Sequence, residues 1–474
     1  MSAPLIISVS GLRGVVGKSL TPEVAQRYVA ALASVAPPGP IVVTRDGRTH
    51  GAMLAEIVAA ALTAAGRTVL DAGVAATPTT GVLVRQHDAA GGVQISASHN
   101  PPEYNGLKLF NAAGRVIPAA VGERVLARYH ELEAAAGGPV GLVYWRVLAQ
   151  YRELEAAGAT ADTSALVESI ADPIDRHLEL VAAACDVDRI RRKRFRVVLD
   201  ANHGSGSVLG RPLLEHLGCD VTVLGGEPDG LFSHPPEPTE ANLQTVLASV
   251  VGSSAAVGYC QDPDADRLAL IDERGRYIGE EATLALCADH VLANQRQGPV
   301  VTNCSTSRMT EDLAAKHGVP FFRSKVGEAN VVDEMLARNA VLGGEGNGGV
   351  IDPRVGLVRD SFVGMALTLD ALAASDQPLS ALADALPQYA IHKTTIAVAQ
   401  DRVPAALDAL QAALPEAAAD RLDGLRLDWP DGAWLLVRPS NTEPIVRAIA
   451  EARTGQQARE LCERAAAVIA SLAN

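Results

Sequence analysis

The feature that most constrains the fold is a unit that recurs three times: a short apolar strand, a helical stretch, a glycine and a second strand. In the first copy, residues 41–44 (IVVT) form the strand, 52–65 the Ala/Leu-rich helix, Gly66 the stop and 68–70 the next strand. The second copy runs through 195–199 (FRVVL), a helix near 209–217, Gly218 and 221–224. The third has 299–302, a helix near 309–316, Gly318 and 319–322, where Pro320 removes a ladder donor and makes the last strand an edge or starting piece. Short apolar runs alternating with helical periodicity imply α/β units with helices packed on their sheets. Past residue 390 the pattern changes: strand 394–398, helix 403–414, strands 425–429, 434–437 and 445–450, and a closing helix over 457–472. The expectation is α/β: three related α/β domains around a central cleft plus a C-terminal α+β domain. Its boundaries are 1–150, 151–254, 255–375 and 376–474, with the acidic loop described below at the second boundary. Residues 144–185 read as mostly helical, carrying the first domain into the second, and 375–388 as the hinge before the last.

Composition removes several classes of function. An apolar fraction of 48% over 474 residues is ample for large cores. No run approaches the ~18 uncharged apolar residues of a membrane helix, and the opening MSAPLIISVSG lacks a basic signal-peptide start. The expectation is a soluble, cytoplasmic protein with no membrane partner, acting as a monomer or homodimer. Six scattered cysteines fit reduced, mostly buried thiols better than disulfides or zinc. A net charge of −14 argues against nucleic acid but not against small anions, because local arginines govern clefts.

The chemistry-bearing residues sit in loops. Residues 94–110, QISASHNPPEYNGLKLF, leave an apolar strand at Ser96 and are forced into a loop by Pro101 and Pro102. Asn105-Gly106 reads as a sharp turn before an alternating strand that carries Lys108. One loop thus gathers Ser98, His99, Asn100 and Lys108, the groups a nucleophile site needs. Near the N-terminus, Gly11, Gly14 and Gly17 surround Arg13, a combination that lets backbone and guanidinium approach a phosphate. Gly204-Ser205-Gly206 lacks the dinucleotide spacing and reads as a tight strand-to-helix turn.

Residues 255–271, AAVGYCQDPDADRLALI, place Asp262, Asp264 and Asp266 at alternate positions between two strands, with Arg267 beside them. Carboxylates this close repel one another, and a hard cation is the natural remedy, with Mg²⁺ favoured where phosphate is present. Two rivals use the same residues. An EF-hand loop finds its acidic positions, with Glu273 last, but has Arg267 where its turn needs glycine and strands in place of helices. An aspartyl-phosphate phosphatase or transferase would use Asp262 as nucleophile. Residues 343–349, GGEGNGG, offer Glu345 and Asn347 to sugar hydroxyls and lack the ending of a P-loop. Finally Arg438, Ser440, Asn441 and Thr442, with Arg447 shortly after, form an oxyanion cradle.

Taken in order, SGLRG, SASHNP followed by NGLK, DPDADR, GEGNGG and RPSNTEPIVR resemble the α-D-phosphohexomutase superfamily of phosphoglucomutase, phosphomannomutase and phosphoglucosamine mutase enzymes. The resemblance implies a mutase that interconverts hexose 6-phosphate and hexose 1-phosphate through a phosphoserine at Ser98 and a bisphosphorylated intermediate. It implies that Asp262, Asp264 and Asp266, with a phosphoserine oxygen on Ser98, hold Mg²⁺. It places Arg13 and Arg267 near the transferring group, and Glu345 and Asn347 on the sugar. Arg438, Ser440, Asn441, Thr442 and Arg447 would hold the phosphate that is not reacting. Lys108 and His99 are the candidates for proton transfer, Lys108 being preferred. ISASHNP and GEGNGG look most like phosphoglucosamine-mutase-type members, with phosphoglucomutase/phosphomannomutase as the alternative. Pro263 and Ala265 stand where glycines are frequent in the family, Asn347 where serine is usual, and Gly349 where many members have histidine.

Overall fold

The computed structural model describes residues 5–8, 11–136, 166–440 and 444–471. Of the expected mostly helical connection over 144–185, residues 144–165 lie outside them, and the rest holds the strand Val167–Ser169 and the helix Asp175–Ala182. Four sheets follow one another along the chain. In the first, Gly91–Ile95, Ile41–Arg45, Val69–Val74 and Val167–Ser169 run parallel. Tyr104–Asn111, Gly11–Val15 and Ile6–Ser8 extend it antiparallel on the side of Gly91–Ile95. The second sheet orders Tyr277–Gly279, Leu268–Asp272, Val257–Gln261, Arg196–Asp200 and Asp220–Leu224, the last three parallel. In the third, Val300–Asn303 lies between Phe321–Ser324 and Leu342–Glu345, parallel to both, and Gly349–Ile351 returns as a hairpin. Phe321–Ser324 is an edge strand, as the proline before it requires. The C-terminal sheet, from Ala390–Ala397 to Ala418–Asp420, is antiparallel throughout and packs under the helix Gly455–Ser471, as an α+β unit should. No described helix is long and apolar enough to cross a membrane.

Three expectations are corrected. The division at 254/255 cuts one sheet, because Val257–Gln261 pairs with Arg196–Asp200. The aspartate loop therefore belongs wholly to the second sheet, and the third unit starts with the helix Glu280–Asn294. Asn105-Gly106 is no turn: both residues lie inside the strand Tyr104–Asn111, opposite Gly14 and Arg13. Gly106 is needed for close approach instead, since a Cβ there would stand 2.4 Å from the Leu12 carbonyl and 2.7 Å from that of Ser96. Residues 343–349 are mostly strand, with only a short turn between Glu345 and its ladder partner Gly349.

The second and third units also share a single core. The helix Ser361–Ser375 begins where the Asp360 carboxylate accepts from Phe362 N (2.9 Å) and Val363 N (3.2 Å), a side-chain N-cap. It is buried on every side from Ser361 to Ala373, because its sequence SFVGMALTLDALA has no polar stripe to leave in water. It packs against Glu280–Asn294 of the third unit and against the short helices before the second sheet, in one apolar cluster that includes Leu199, Tyr259, Leu342 and Phe362. Phe362 is fully buried, edge-on to the His177 ring at 5.4 Å. Phe362→Ala should cost about 3–5 kcal/mol in chemical denaturation. Hydrogen exchange should then accelerate together in Val257–Gln261 and Glu280–Asn294; acceleration in only one would mean that the two cores are separable.

Candidate active site

Strand Gly91–Ile95 is completely buried and delivers the chain to Ser96 at its C-terminal end. The loop is then held by its own polar groups. Ser96 Oγ donates to Asp46 Oδ2 (2.6 Å) and accepts from Ser98 N (2.8 Å). Arg48, 2% exposed, donates to the carbonyls of Ser98 (2.6 Å), Asn100 (2.6 Å), Pro101 (2.8 Å) and Tyr104 (3.0 Å), and pairs with Asp46. These bonds keep Ser98 at φ +50, a left-handed conformation that costs a non-glycine residue about 1–2 kcal/mol. The strained backbone directs Ser98 Oγ to Asp262 Oδ2 at 2.6 Å, across 164 residues of sequence. His99 Nδ1 lies 3.4 Å from the same hydroxyl, and burial beside Arg267 and Arg13 pushes its pKa down to about 3, leaving the ring neutral.

The aspartate loop joins the parallel strand Val257–Gln261 to its antiparallel neighbour Leu268–Asp272. Asp262 Oδ1 closes the loop by accepting from Asp266 N and Arg267 N, both at 3.1 Å. The turn at Gly204-Ser205 supports it from below: Ser205 donates to the Pro263 carbonyl through N (2.8 Å) and Oγ (3.0 Å). A Cβ at Gly204 would stand 2.5 Å from that same oxygen. Asp262, Asp264 and Asp266 are all 0% exposed, and their ligand oxygens lie within 4.8 Å of one another. Thr77 Oγ1 donates to Asp264 Oδ2 (2.6 Å), and Lys108 Nζ bridges Asp264 Oδ2 (3.1 Å) and Asp266 Oδ2 (2.7 Å). Asp264 Oδ1 and Asp266 Oδ1 are buried with no hydrogen-bond partner. Two orphaned carboxylate oxygens beside a third carboxylate fit a hard, oxygen-seeking cation and leave little else to satisfy them.

The electrostatics reflect this crowding. Burial and the two neighbouring aspartates push the Asp262 carboxyl well above the ordinary range. Burial opposes ionisation of Asp264 and Asp266 as well, but Lys108 and Thr77 hold the former down, and Arg359 with Lys108 the latter. Burial also works against the Lys108 charge, yet Asp264, Asp266 and Glu328 outweigh it and keep the ammonium protonated. Arg267 pairs with Glu237 through Nη1 (3.5 Å) and with Asp262 through Nε (4.0 Å), an atom that makes no hydrogen bond. Arg13, on strand Gly11–Val15, faces the same group of charges.

Ser98, His99, Arg13, Lys108 and Arg267 gather around the three aspartates, while Glu345, Asn347, Arg438 and Arg447 belong to the third and C-terminal sheets. Glu345 ends strand Leu342–Glu345, where Oε1 accepts from Asn303 Nδ2 (2.7 Å) and Gly327 N (3.0 Å) and Oε2 from Arg359 (2.6 Å). Asn347 Oδ1 accepts from Gly349 N at 3.2 Å within the hairpin turn. In the C-terminal sheet, Arg438 and Arg447 are direct cross-strand partners, Arg447 exposed and Arg438 paired with Asp423 (3.0 Å). Like charges placed opposite each other destabilise a ladder unless an anion lies between them. Ser440 N donates to the Ile445 carbonyl (3.0 Å), whereas Asn441 and Thr442 lie outside the described residues. The ion pair of Arg438 is with Asp423, within the C-terminal unit itself. The residues that sequence reasoning missed are Asp46, Arg48, Ser96, Thr77 and Arg359. The signal for Asp46, Arg48 and Arg359 was weak: charges directly after a strand (TRDGR) or before a helix cap (VRDS).

Comparison with known proteins adds an independent line. Sequence models of "Phosphoglucomutase/phosphomannomutase, alpha/beta/alpha domain I", domain II, domain III and "C-terminal domain" match residues 5–136, 175–275, 280–389 and 396–468. The chain is 36% identical over 462 residues to "Phosphoglucomutase/phosphomannomutase" of Thermococcus kodakarensis, covering 96% of each. It is 32% identical over 455 residues to "Probable phosphoglucosamine mutase" of Methanopyrus kandleri, covering 95% of each. A crystal structure of a phosphoglucomutase/phosphomannomutase family protein from Burkholderia thailandensis superposes with a TM-score of 0.80 at 26% identity, over 98% of both chains.

The clamp on the serine loop makes a prediction. Arg48→Met would strip the donor from four carbonyls and leave Asp46 buried without its partner, at a cost of about 3–5 kcal/mol in urea denaturation. Arg48→Lys should recover only part of it, since three ammonium protons cannot reproduce the guanidinium fork.

Proposed function

The chain belongs to the phosphoglucomutase/phosphomannomutase family and is a phosphohexomutase, and from that premise we propose that it interconverts glucosamine 6-phosphate and glucosamine 1-phosphate through a phosphoserine at Ser98. The observation that carries this reading is the strained, clamped Ser98, its hydroxyl 2.6 Å from the first of three buried aspartates. Phosphoryl transfer asks mainly for positioning and for charge neutralisation, and both are built into this loop pair.

In the forward direction the substrate's C1 hydroxyl oxygen attacks phosphoserine 98. The bond from phosphorus to the serine oxygen breaks, a bond to the C1 oxygen forms, and the hydroxyl proton passes to a protein group. The resulting 1,6-bisphosphate turns over within the site, the Ser98 oxygen attacks the phosphorus at C6, the bond from that phosphorus to the C6 oxygen breaks, and the C6 oxygen takes up the proton that the protein group had accepted. Asp262, Asp264 and Asp266 with a phosphoserine oxygen would hold Mg²⁺, which supplies positive charge to the transferring group. Arg267, 4.0 Å from Asp262, and Arg13, which interacts electrostatically with Asp264 and Asp266, would neutralise the same oxygens. His99, beside the serine hydroxyl, and Lys108, held by two aspartates, are the candidates for proton transfer. Glu345 and Asn347 contact the sugar, and the facing Arg438 and Arg447, with Ser440, Asn441 and Thr442, hold the distal phosphate.

Relatives described as phosphoglucosamine mutases at 31–32% identity support the choice of glucosamine. The 36% relative supports glucose and mannose phosphates as the second reading. Six free cysteines and a phosphorylated metabolite as substrate suit a cytoplasmic setting.

Peptide mapping should find an acid-stable phosphate on Ser98, and Ser98→Ala should lower turnover at least about a thousandfold. A hydroxylamine-labile acyl phosphate on Asp262 would overturn the phosphoserine route. In a side-by-side assay of the glucosamine, glucose and mannose 6-phosphates, glucosamine as the poorest of the three would overturn the choice of sugar.

A further inference from the structure

One buried guanidinium joins the aspartate loop of the second sheet to the hairpin of the third. Arg359 lies between strand Gly349–Ile351 and helix Ser361–Ser375. Its backbone is fixed on both sides: Arg359 N donates to Glu328 Oε1 (2.8 Å), and Asp360 N to the Val350 carbonyl (2.8 Å). From there Nη2 reaches Asp266 Oδ2 (2.5 Å) and Nη1 reaches Glu345 Oε2 (2.6 Å). The side chain crosses Gly349 so closely that a Cβ there would stand 2.3 Å from Arg359 Cδ and 2.7 Å from its Cγ. Glycine at 349 and arginine at 359 are therefore complementary choices: the first vacates the space that the second fills.

We propose that Arg359 is a positioning residue that couples cation binding at the aspartate loop to sugar-phosphate binding at the Glu345 hairpin. The inference rests on the assignment of those two loops to cation and sugar. A guanidinium is planar and rigid, so one fork bonded to two carboxylates fixes their relative positions, which a flexible ammonium cannot do. By engaging Asp266 Oδ2 together with Lys108, Arg359 decides which oxygen of Asp266 is left over, and Oδ1 is the atom without a partner. On its other arm the same group sets the orientation of Glu345, whose Oε1 is already fixed by Asn303 and Gly327. A cation that draws Asp266 into place thus holds Arg359, and through it Glu345, in the arrangement that meets the sugar. Thermodynamic linkage requires the effect to be reciprocal.

The test uses dephosphorylated full-length protein, so that turnover does not intrude. Mg²⁺ is titrated calorimetrically with and without a saturating hexose 6-phosphate, the one that the wild-type enzyme converts fastest. The sugar phosphate should tighten Mg²⁺ binding by on the order of tenfold in wild type. In Arg359→Gln, Arg359→Lys and Gly349→Ala that ratio should fall to within about twofold of one. Gly349→Ala displaces the arginine without changing any charge, and circular dichroism verifies that each variant is folded. A merely structural role would lower stability or weaken both ligands while leaving the ratio at its wild-type value, and that result overturns the proposal. So does the absence of coupling in wild type. If no hexose 6-phosphate is converted or bound, the assignment of function fails, and Mg²⁺ alone still decides the Asp266 arm. There, a loss on the order of tenfold in Arg359→Gln supports the proposal, and unchanged affinity overturns it.

Discussion

The structure depends on one electrostatic constraint: three carboxylates in five residues, all removed from water, in a loop that closes on its own backbone. Burying that much negative charge is tolerable only if neighbours supply compensation, and each surrounding unit does so. The first sends Lys108, Thr77 and the Ser98 hydroxyl, and the approach to the central helix sends Arg359. Even so, two carboxylate oxygens remain unsatisfied. A scaffold that keeps this arrangement keeps a cluster of carboxylates that could hold a cation, 2.6 Å from the Ser98 hydroxyl.

The sheets make the arrangement possible through their polarity. Ser98, Asp262, Asn303 and Glu345 all follow or end parallel strands at their C-terminal ends, where open α/β sheets present their loops. Because the second and third units share the helix Ser361–Ser375, the aspartate loop and the hairpin are held by one continuous core. The antiparallel C-terminal sheet carries Arg438 and Arg447 as cross-strand partners, and Asp423, which pairs with Arg438, also accepts from Val326 N of the third unit.

Much of this was legible in the chain. The thrice-repeated unit reported the α/β architecture, because strand and helix periodicities are local properties of neighbouring residues. The loops SASHNP, DPDADR and GEGNGG were legible because reactive side chains were concentrated where apolar runs stop. Arg48 and Arg359 were not, since a single arginine near a strand end resembles any solvated surface charge until its partners, tens to hundreds of residues away, are known. The misplaced boundary at 254/255 has the same origin: Val257–Gln261 is an apolar strand wherever it pairs, and only its hydrogen bonds to Arg196–Asp200 assign it to the second sheet. Asn105-Gly106 misled because glycine answers two needs, a left-handed turn and a close backbone approach, and the residue pair alone does not distinguish them.

By itself, then, the sequence determined which reactive groups the loops carry and in which order they occur: Arg13, Ser98, the three aspartates with Arg267, Glu345, then Arg438 and Arg447. Those are matters of side-chain type and local spacing. Tertiary structure alone decided that Ser98 meets Asp262 across 164 residues, that Arg48 holds the serine in its strained conformation, and that Gly349 makes room for Arg359 between Asp266 and Glu345. The reason is physical: a hydrogen bond or a buried ion pair is a property of two positions in space, and no local pattern specifies the second.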